Sequence, residues 1–205
     1  MGGDEAREIF FTMTLLEENE AFFKGDPAKK LAICLSIAQI AGRGASTALS
    51  ALGGFEQSGF LKNDAERRIE IYKRFVRLGA GYERAVLYGI MRLNAAGFFS
   101  VDLEERVKLV EQSYLAIREF CRPCVEAAFF ALWVLAAEGF FNDSPERRFQ
   151  LVVNEFRVLV GRFGDDANPI LENFGGRPSG QVANDADPEA ALPRVLRSLC
   201  DGSAT

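Results

Sequence analysis

The sequence predicts an all-α protein built from stacked helix-turn-helix hairpins, and three observations lead to this prediction. A ten-residue pattern recurs along the chain, each copy carries the signals of a turn between two helices, and apolar residues on both sides follow a helical period. The 205 residues, 48% of them apolar, are enough to bury a core. We expect the hairpins to form an α-solenoid or, alternatively, a compact helical bundle.

The recurring pattern begins with glycine and phenylalanine in its three clearest copies. In most of the copies it ends with two basic residues. Together with a weaker first copy, it spans residues 21–30, 59–68, 97–106 and 139–148. The second position of the pattern falls at Phe22, Phe60, Phe98 and Phe140, with spacings of 38, 38 and 42 residues. Nearly constant spacing indicates one structural unit of about 38 residues, present as four hairpins in residues 1–164.

Each copy has the composition of a turn that ends one helix and begins the next. Glycine at the first position suits the left-handed residue that closes a helix. The sixth position carries a side chain that can accept a hydrogen bond from the free amides of the next helix. These side chains are Asp26, Asp64, Asp102 and Ser144. We expect the phenylalanines of the turns to plug the hairpin ends, whereas exposure of the second one would create an apolar ridge.

Apolar residues flank the turns at helical spacing, for example at Val86, Ile90 and Leu93 before a turn. A two-helix unit of this length cannot bury its apolar face alone and must stack on its neighbours. Over residues 4–164 the chain resembles the α-solenoids of helical-hairpin repeats, the class that includes tetratricopeptide and HEAT proteins. It lacks the tetratricopeptide Trp, Gly-Tyr and Pro positions, so no single family is matched. The resemblance implies an extended surface that binds partners.

Residues 165–205 differ from the rest, with seven acidic residues against three arginines and clusters of Gly, Pro and Asp. We interpret them as a mostly extended tail that ends in a short amphipathic helix over residues 188–200. We expect this helix to cap the last hairpin, and binding to a partner is the alternative.

The repeats place a basic residue at the tenth position of every copy. These residues are Lys30, Arg68, Arg106 and Arg148, and the ninth position adds Arg67 and Arg147. In a solenoid they would form a column whose donors can bind carboxylates or phosphates of a partner. Pairing with acidic residues of neighbouring repeats is the more ordinary expectation for such charges.

Cys121 and Cys124 form a CxxC sequence, which can supply half of a zinc site or a redox pair. Zinc needs two further ligands, and the chain contains no histidine. We therefore expect two reduced thiols at the start of a helix, with no metal and no cofactor.

Composition also narrows the function classes. Without histidine, Ser-His and Cys-His catalysis are excluded, and no glycine-rich phosphate loop occurs. The net charge of −5 disfavours general nucleic-acid binding. No apolar run reaches the ~20 residues of a membrane span, and no signal peptide begins the chain, so we expect a soluble, cytoplasmic protein with no membrane partner.

The sequence therefore predicts a non-catalytic protein-binding module, an adaptor or a subunit of a larger complex, whose partner is another protein. A nucleic-acid-binding accessory protein that uses the basic column is the first alternative. A ligand carrier or cryptic enzyme with a pocket between helices is the second.

Overall fold

The computed structural model of the chain describes residues 3–18, 23, 25–60, 64–176, 182 and 185–202. These residues are predominantly helical and contain no β-strand, so the prediction of an all-α fold is confirmed. The chain forms two compact units, Met1–Asn94 and Ala95–Thr205. The boundary at residue 165 that the sequence predicts stays a prediction.

The helices described in the first unit are α1 (Gly3–Glu18), α2 (Pro27–Ala41), α3 (Ala45–Gln57), α4 (Ala65–Leu78) and α5 (Glu83–Ala95). Helix α1 packs against α2 to form a hairpin, and α3 packs against both of them. Helix α2 also packs against α4, which is the equivalent helix of the next repeat. Buried side chains such as Leu52, Phe55 and Tyr72 form the core, and the Tyr72 hydroxyl donates a hydrogen bond to the Ala48 carbonyl.

The helices described in the second unit are α6 (Leu103–Phe120), α7 (Val125–Ala137), α8 (Pro145–Phe163), α9 (Ala167–Gly176) and α10 (Pro188–Gly202). Helix α6 packs against α7 and α8, and α9 packs against α7 and α8. Tyr114, Phe129 and Phe156 are buried in this unit. Equivalent helices of successive repeats therefore lie side by side here as well.

The segment that the sequence indicated as a mostly extended tail contains α9. Its Ile170, Leu171 and Phe174 are buried, and the helix packs against α7. Helix α10 packs against α8 and α9, which is the capping position that the sequence analysis favoured. Residues 177–181, 183–184 and 203–205 of this segment lie outside the described residues.

The glycines of the repeated turns adopt the predicted left-handed backbone. The φ angles of Gly59, Gly97 and Gly139 are 80°, 79° and 81°. The Gly139 N–H donates to the Ala136 carbonyl at 3.0 Å. The next N–H, that of Phe140, donates to the Leu135 carbonyl at 3.0 Å. These two bonds define a Schellman motif, which uses the free carbonyls at the end of α7.

The residues at the sixth position cap the following helix in two of the four repeats. The Asp26 carboxylate accepts from the Lys29 N–H at 2.8 Å, and that of Asp64 accepts from the Arg67 N–H at 3.2 Å. Asp102 and Ser144 make no such bond, so the capping prediction is wrong for them. Their left-handed backbone does not by itself explain the loss, because Asp64 shares it and still caps its helix.

The phenylalanines of the turns pack inside the protein, as expected. The buried ones are Phe60, Phe98, Phe99, Phe140 and Phe141. Phe22 of the first repeat lies outside the described residues. Since the second phenylalanine of each described pair is buried too, the turns of the third and fourth repeats form no exposed apolar ridge.

Across the part of the chain that the structure describes, every helix is too short or too polar to cross a membrane.

Candidate functional site: the repeat-end arginines and the α6–α8 groove

Two of the tenth-position arginines fold back onto the turn of their own repeat. The Arg148 Nη1 donates to the Phe140 carbonyl at 2.5 Å, and its guanidinium carbon lies 5.3 Å from the centroid of the Phe140 ring. Arg68 makes the same two contacts with Phe60, at 2.5 Å and 5.3 Å. Burial lowers the pKa of the Arg68 guanidinium, an effect that nearby Asp64 opposes. These two cations therefore close the turns.

The other two tenth-position residues are also engaged. The Arg106 guanidinium lies 4.7 Å from the Phe98 ring centroid, and its Nη1 donates to the Phe141 carbonyl of the next repeat at 3.4 Å. Lys30 is only 1% exposed, and its Nζ lies 2.9 Å from a carboxylate oxygen of Glu17 on α1. These contacts give all four residues a structural role, and a role in binding a partner stays a prediction.

The ninth position links neighbouring repeats through ion pairs. The Lys29 ammonium lies 2.5 Å from the Glu66 carboxylate, and the Arg147 guanidinium lies 2.8 Å from that of Glu189. Glu66 occupies the eighth position of its repeat. Glu189 directly follows an Asp-Pro pair, and the eighth position of the first repeat also directly follows an Asp-Pro pair. The pair of Lys29 and Glu66 is the inter-repeat pairing that the sequence favours as the ordinary expectation, whereas the pair of Arg147 and Glu189 joins the fourth repeat to α10. Arg67 is exposed at the start of α4.

Cys121 and Cys124 are joined by a disulfide, which corrects the expectation of two reduced thiols. The connection between α6 and α7 places their Cα atoms 5.4 Å apart, within the range that a disulfide spans. The Cys121 Sγ also accepts a hydrogen bond from the Cys124 N–H at 3.2 Å. Among the described residues, no three His, Cys, Asp or Glu side chains cluster in a way that could hold a metal ion.

An open groove with a volume of 300 Å³ lies between α6 and α8. Its apolar lining includes the buried side chains of Leu109, Phe149 and Val153. Its polar lining consists of Gln112, Ser113, Gln150 and Asn154. None of the side chains that line the groove carries a charge, although both helices are rich in charged residues.

Sequence reasoning missed the polar residues of this groove, although the repeats contain a signal for two of them. Gln112 and Asn154 both occupy the sixteenth position counted from the start of the repeated pattern. The corresponding residues of the first and second repeats are Ser36 and Arg74. Carboxamides thus occur at equivalent positions in the third and fourth repeats, whose helices α6 and α8 pack together.

Compared with protein-family models, with curated proteins and with solved structures, the chain matches none of them.

Proposed function

We propose that this protein is a non-catalytic, cytoplasmic protein-binding module built on helical repeats, acting as an adaptor or as a subunit of a larger complex. The observation that carries the proposal is the open groove between α6 and α8, which combines a buried apolar floor with uncharged polar side chains. Protein-binding surfaces commonly join an apolar centre to polar groups at its edge.

The packing of equivalent helices supports an α-solenoid rather than a bundle. In the first unit α1 packs against α3 and α2 against α4, and in the second α6 packs against α8 and α7 against α9. The first and second repeats thereby contact each other through both of their helices, and the third and fourth through α6 and α8. Packing between equivalent helices of neighbouring repeats is typical of solenoid proteins. Such proteins bind their partners along the surface that the stacked helices form.

The contacts of the basic residues favour a protein partner over a nucleic acid. Arg68, Arg106 and Arg148 already bond to carbonyl groups of the turns. A nucleic-acid site needs cations that are free to neutralise phosphates, and binding then weakens steeply with salt. The alternative that uses the basic column would have to break these bonds first.

Affinity capture of the tagged full chain from its own cells, with nuclease present, tests the proposal. We expect a stoichiometric protein partner, which after purification binds the chain in a reconstituted 1:1 titration. The same capture with Arg67→Ser and Arg147→Ser, two exposed positions, should retain that partner. Recovery of nucleic acid or of a small molecule without any protein partner would overturn the proposal.

A further inference from the structure

We infer that the groove between α6 and α8 binds an extended, uncharged segment of a partner polypeptide through its main chain. This inference rests on the proposed function and names the ligand class of its site. It draws on the chemistry of the polar lining, on the apolar floor and on the repeat positions of the carboxamides.

The polar lining matches the hydrogen-bonding groups of a peptide backbone. Each peptide unit offers one N–H donor and one carbonyl acceptor. The carboxamides of Gln112, Gln150 and Asn154 each offer both kinds of group, and the Ser113 hydroxyl does so as well. A side-chain amide can therefore pair at two points with the N–H and the carbonyl of one extended residue, which point to the same side of the chain, whatever side chain that residue carries.

The absence of charge along the groove argues against anionic and cationic ligands. A phosphate or carboxylate group is bound most strongly by Arg or Lys, which form charge-assisted hydrogen bonds with it. The lining residues include neither, nor any acidic side chain that would recognise a cation. A neutral polypeptide segment satisfies the groove without leaving a charge unpaired.

The floor and the size of the groove indicate what part of the segment enters it. Leu109, Phe149 and Val153 are 6%, 2% and 8% exposed, so only a small part of each apolar side chain is accessible at the floor. The volume of 300 Å³ is at the lower end of the ~300–1,000 Å³ of ligand pockets, which enclose most of their ligand. The open groove suits an apolar side chain of a polypeptide that continues beyond it.

The repeat positions indicate the direction of the segment. Gln112 and Asn154 are equivalent residues on two packed helices, and packed helix axes lie about 8–10 Å apart. An extended chain rises about 3.3 Å per residue, so roughly three residues cover that separation. Main-chain groups of alternate residues point to the same edge of an extended chain. We therefore expect the segment to cross α6 and α8 and to bond to both carboxamides through residues about two or four positions apart.

A peptide selection with the full chain tests the inference. A random 12-residue phage-displayed library is selected on the immobilised protein, and the enriched peptides are synthesised and titrated by fluorescence anisotropy. We expect uncharged sequences with one recurring apolar position. The double variant Gln112→Glu, Asn154→Asp should weaken their binding at least tenfold, because it replaces two donating NH2 groups with charged carboxylate oxygens. Methylation of single main-chain nitrogens in the peptide should weaken binding similarly at about two positions.

Gln57→Glu is the matched control, because it makes the same chemical change at an exposed residue of the first unit. It should leave the affinity within twofold, and all variants should keep the wild-type melting temperature. Failure to enrich peptides, enrichment of charged ones, or equal affinity for the double variant would overturn the inference. So would a dimer of this chain that the double variant dissociates. A captured partner that binds the double variant normally would overturn the inference alone and leave the proposed function standing.

Discussion

Replacing Arg148 by alanine should destabilise the second unit far more than replacing its neighbour Arg147. The Arg148 side chain is 14% exposed and bonds to the Phe140 carbonyl while covering its ring. A hydrogen bond from a charged donor contributes about 1.5–3 kcal/mol, and the contact with the ring adds about 0.5–1 kcal/mol. Arg148→Ala should therefore lower the free energy of unfolding by about 2–4 kcal/mol.

Arg147→Ala removes an equal charge from the adjacent position and serves as the control. Its side chain is 75% exposed, and its pair with Glu189 is a surface ion pair of the kind that contributes about 0–1 kcal/mol. Arg148→Lys keeps the charge without the planar group, so we expect it to recover less than half of the lost stability.

Urea unfolding, monitored by tryptophan fluorescence, measures the loss of stability within the second unit. The chain contains one tryptophan, Trp133, and it lies on α7 in the second unit. A midpoint for Arg148→Ala within error of the wild type would refute the structural role of this arginine. An equal loss in Arg147→Ala would show that charge, rather than closure of the turn, determines the stability.

Three further predictions concern the cysteines and the ion pairs between repeats. Reducing the Cys121–Cys124 disulfide should lower the stability of the second unit by about 2 kcal/mol, a modest loss because the closed loop has only about four residues. The urea midpoint should fall on reduction in the wild type and stay constant in the double variant Cys121→Ala, Cys124→Ala. Burial raises the pKa of the Cys34 thiol from 9.0 to about 11, so the unfolded chain ionises first and stability falls as the pH rises from 9 to 11. Between pH 8 and pH 11, the free energy of unfolding should fall by about 2 kcal/mol more in the wild type than in Cys34→Ala. Equal decreases in the two proteins would contradict the raised pKa of the Cys34 thiol. Glu105→Arg should stabilise the second unit by about 0.2–1 kcal/mol. Glu105 and Glu146 occupy the ninth and eighth positions of their repeats, and elsewhere a cation at the ninth position pairs with an acid at the eighth. A lower melting temperature of the variant would refute the idea that the third and fourth repeats can form the same ion pair.

The turns were the most predictable part of the fold, because their determinants lie within ten residues. The left-handed φ of Gly97 follows from the lack of a Cβ atom, and the sequence predicts it directly. The same repeats also contain a signal that sequence analysis did not use. Phe60 and Arg68, like Phe140 and Arg148, are eight residues apart, and the turn brings each pair into contact. The spacing of the two residues therefore indicates a closed turn, and the binding role that their charge indicates stays a prediction.

Helix α9 and the groove were less predictable, because both depend on contacts between distant segments. A ten-residue helix that contains Pro169 and two terminal glycines has little stability alone, so its packing against α7 stabilises it. The groove requires a specific register between α6 and α8, and the period of apolar residues in each helix does not determine it. The repeat alignment relates the two helices in the sequence, and it places Gln112 and Asn154 of the groove at matching sixteenth positions.

The repeats separate two kinds of position by their behaviour from copy to copy. The basic residue at the tenth position recurs in all four copies, and in the second and fourth it closes the turn through the same two contacts. A binding site that discriminates one partner from others needs side chains suited to that partner, and nothing requires them in every repeat. The sixteenth position changes from Ser36 to Arg74, Gln112 and Asn154. The positions that vary on the surface of packed helices are therefore candidates for recognition, and a binding role of the recurring basic residues stays a prediction.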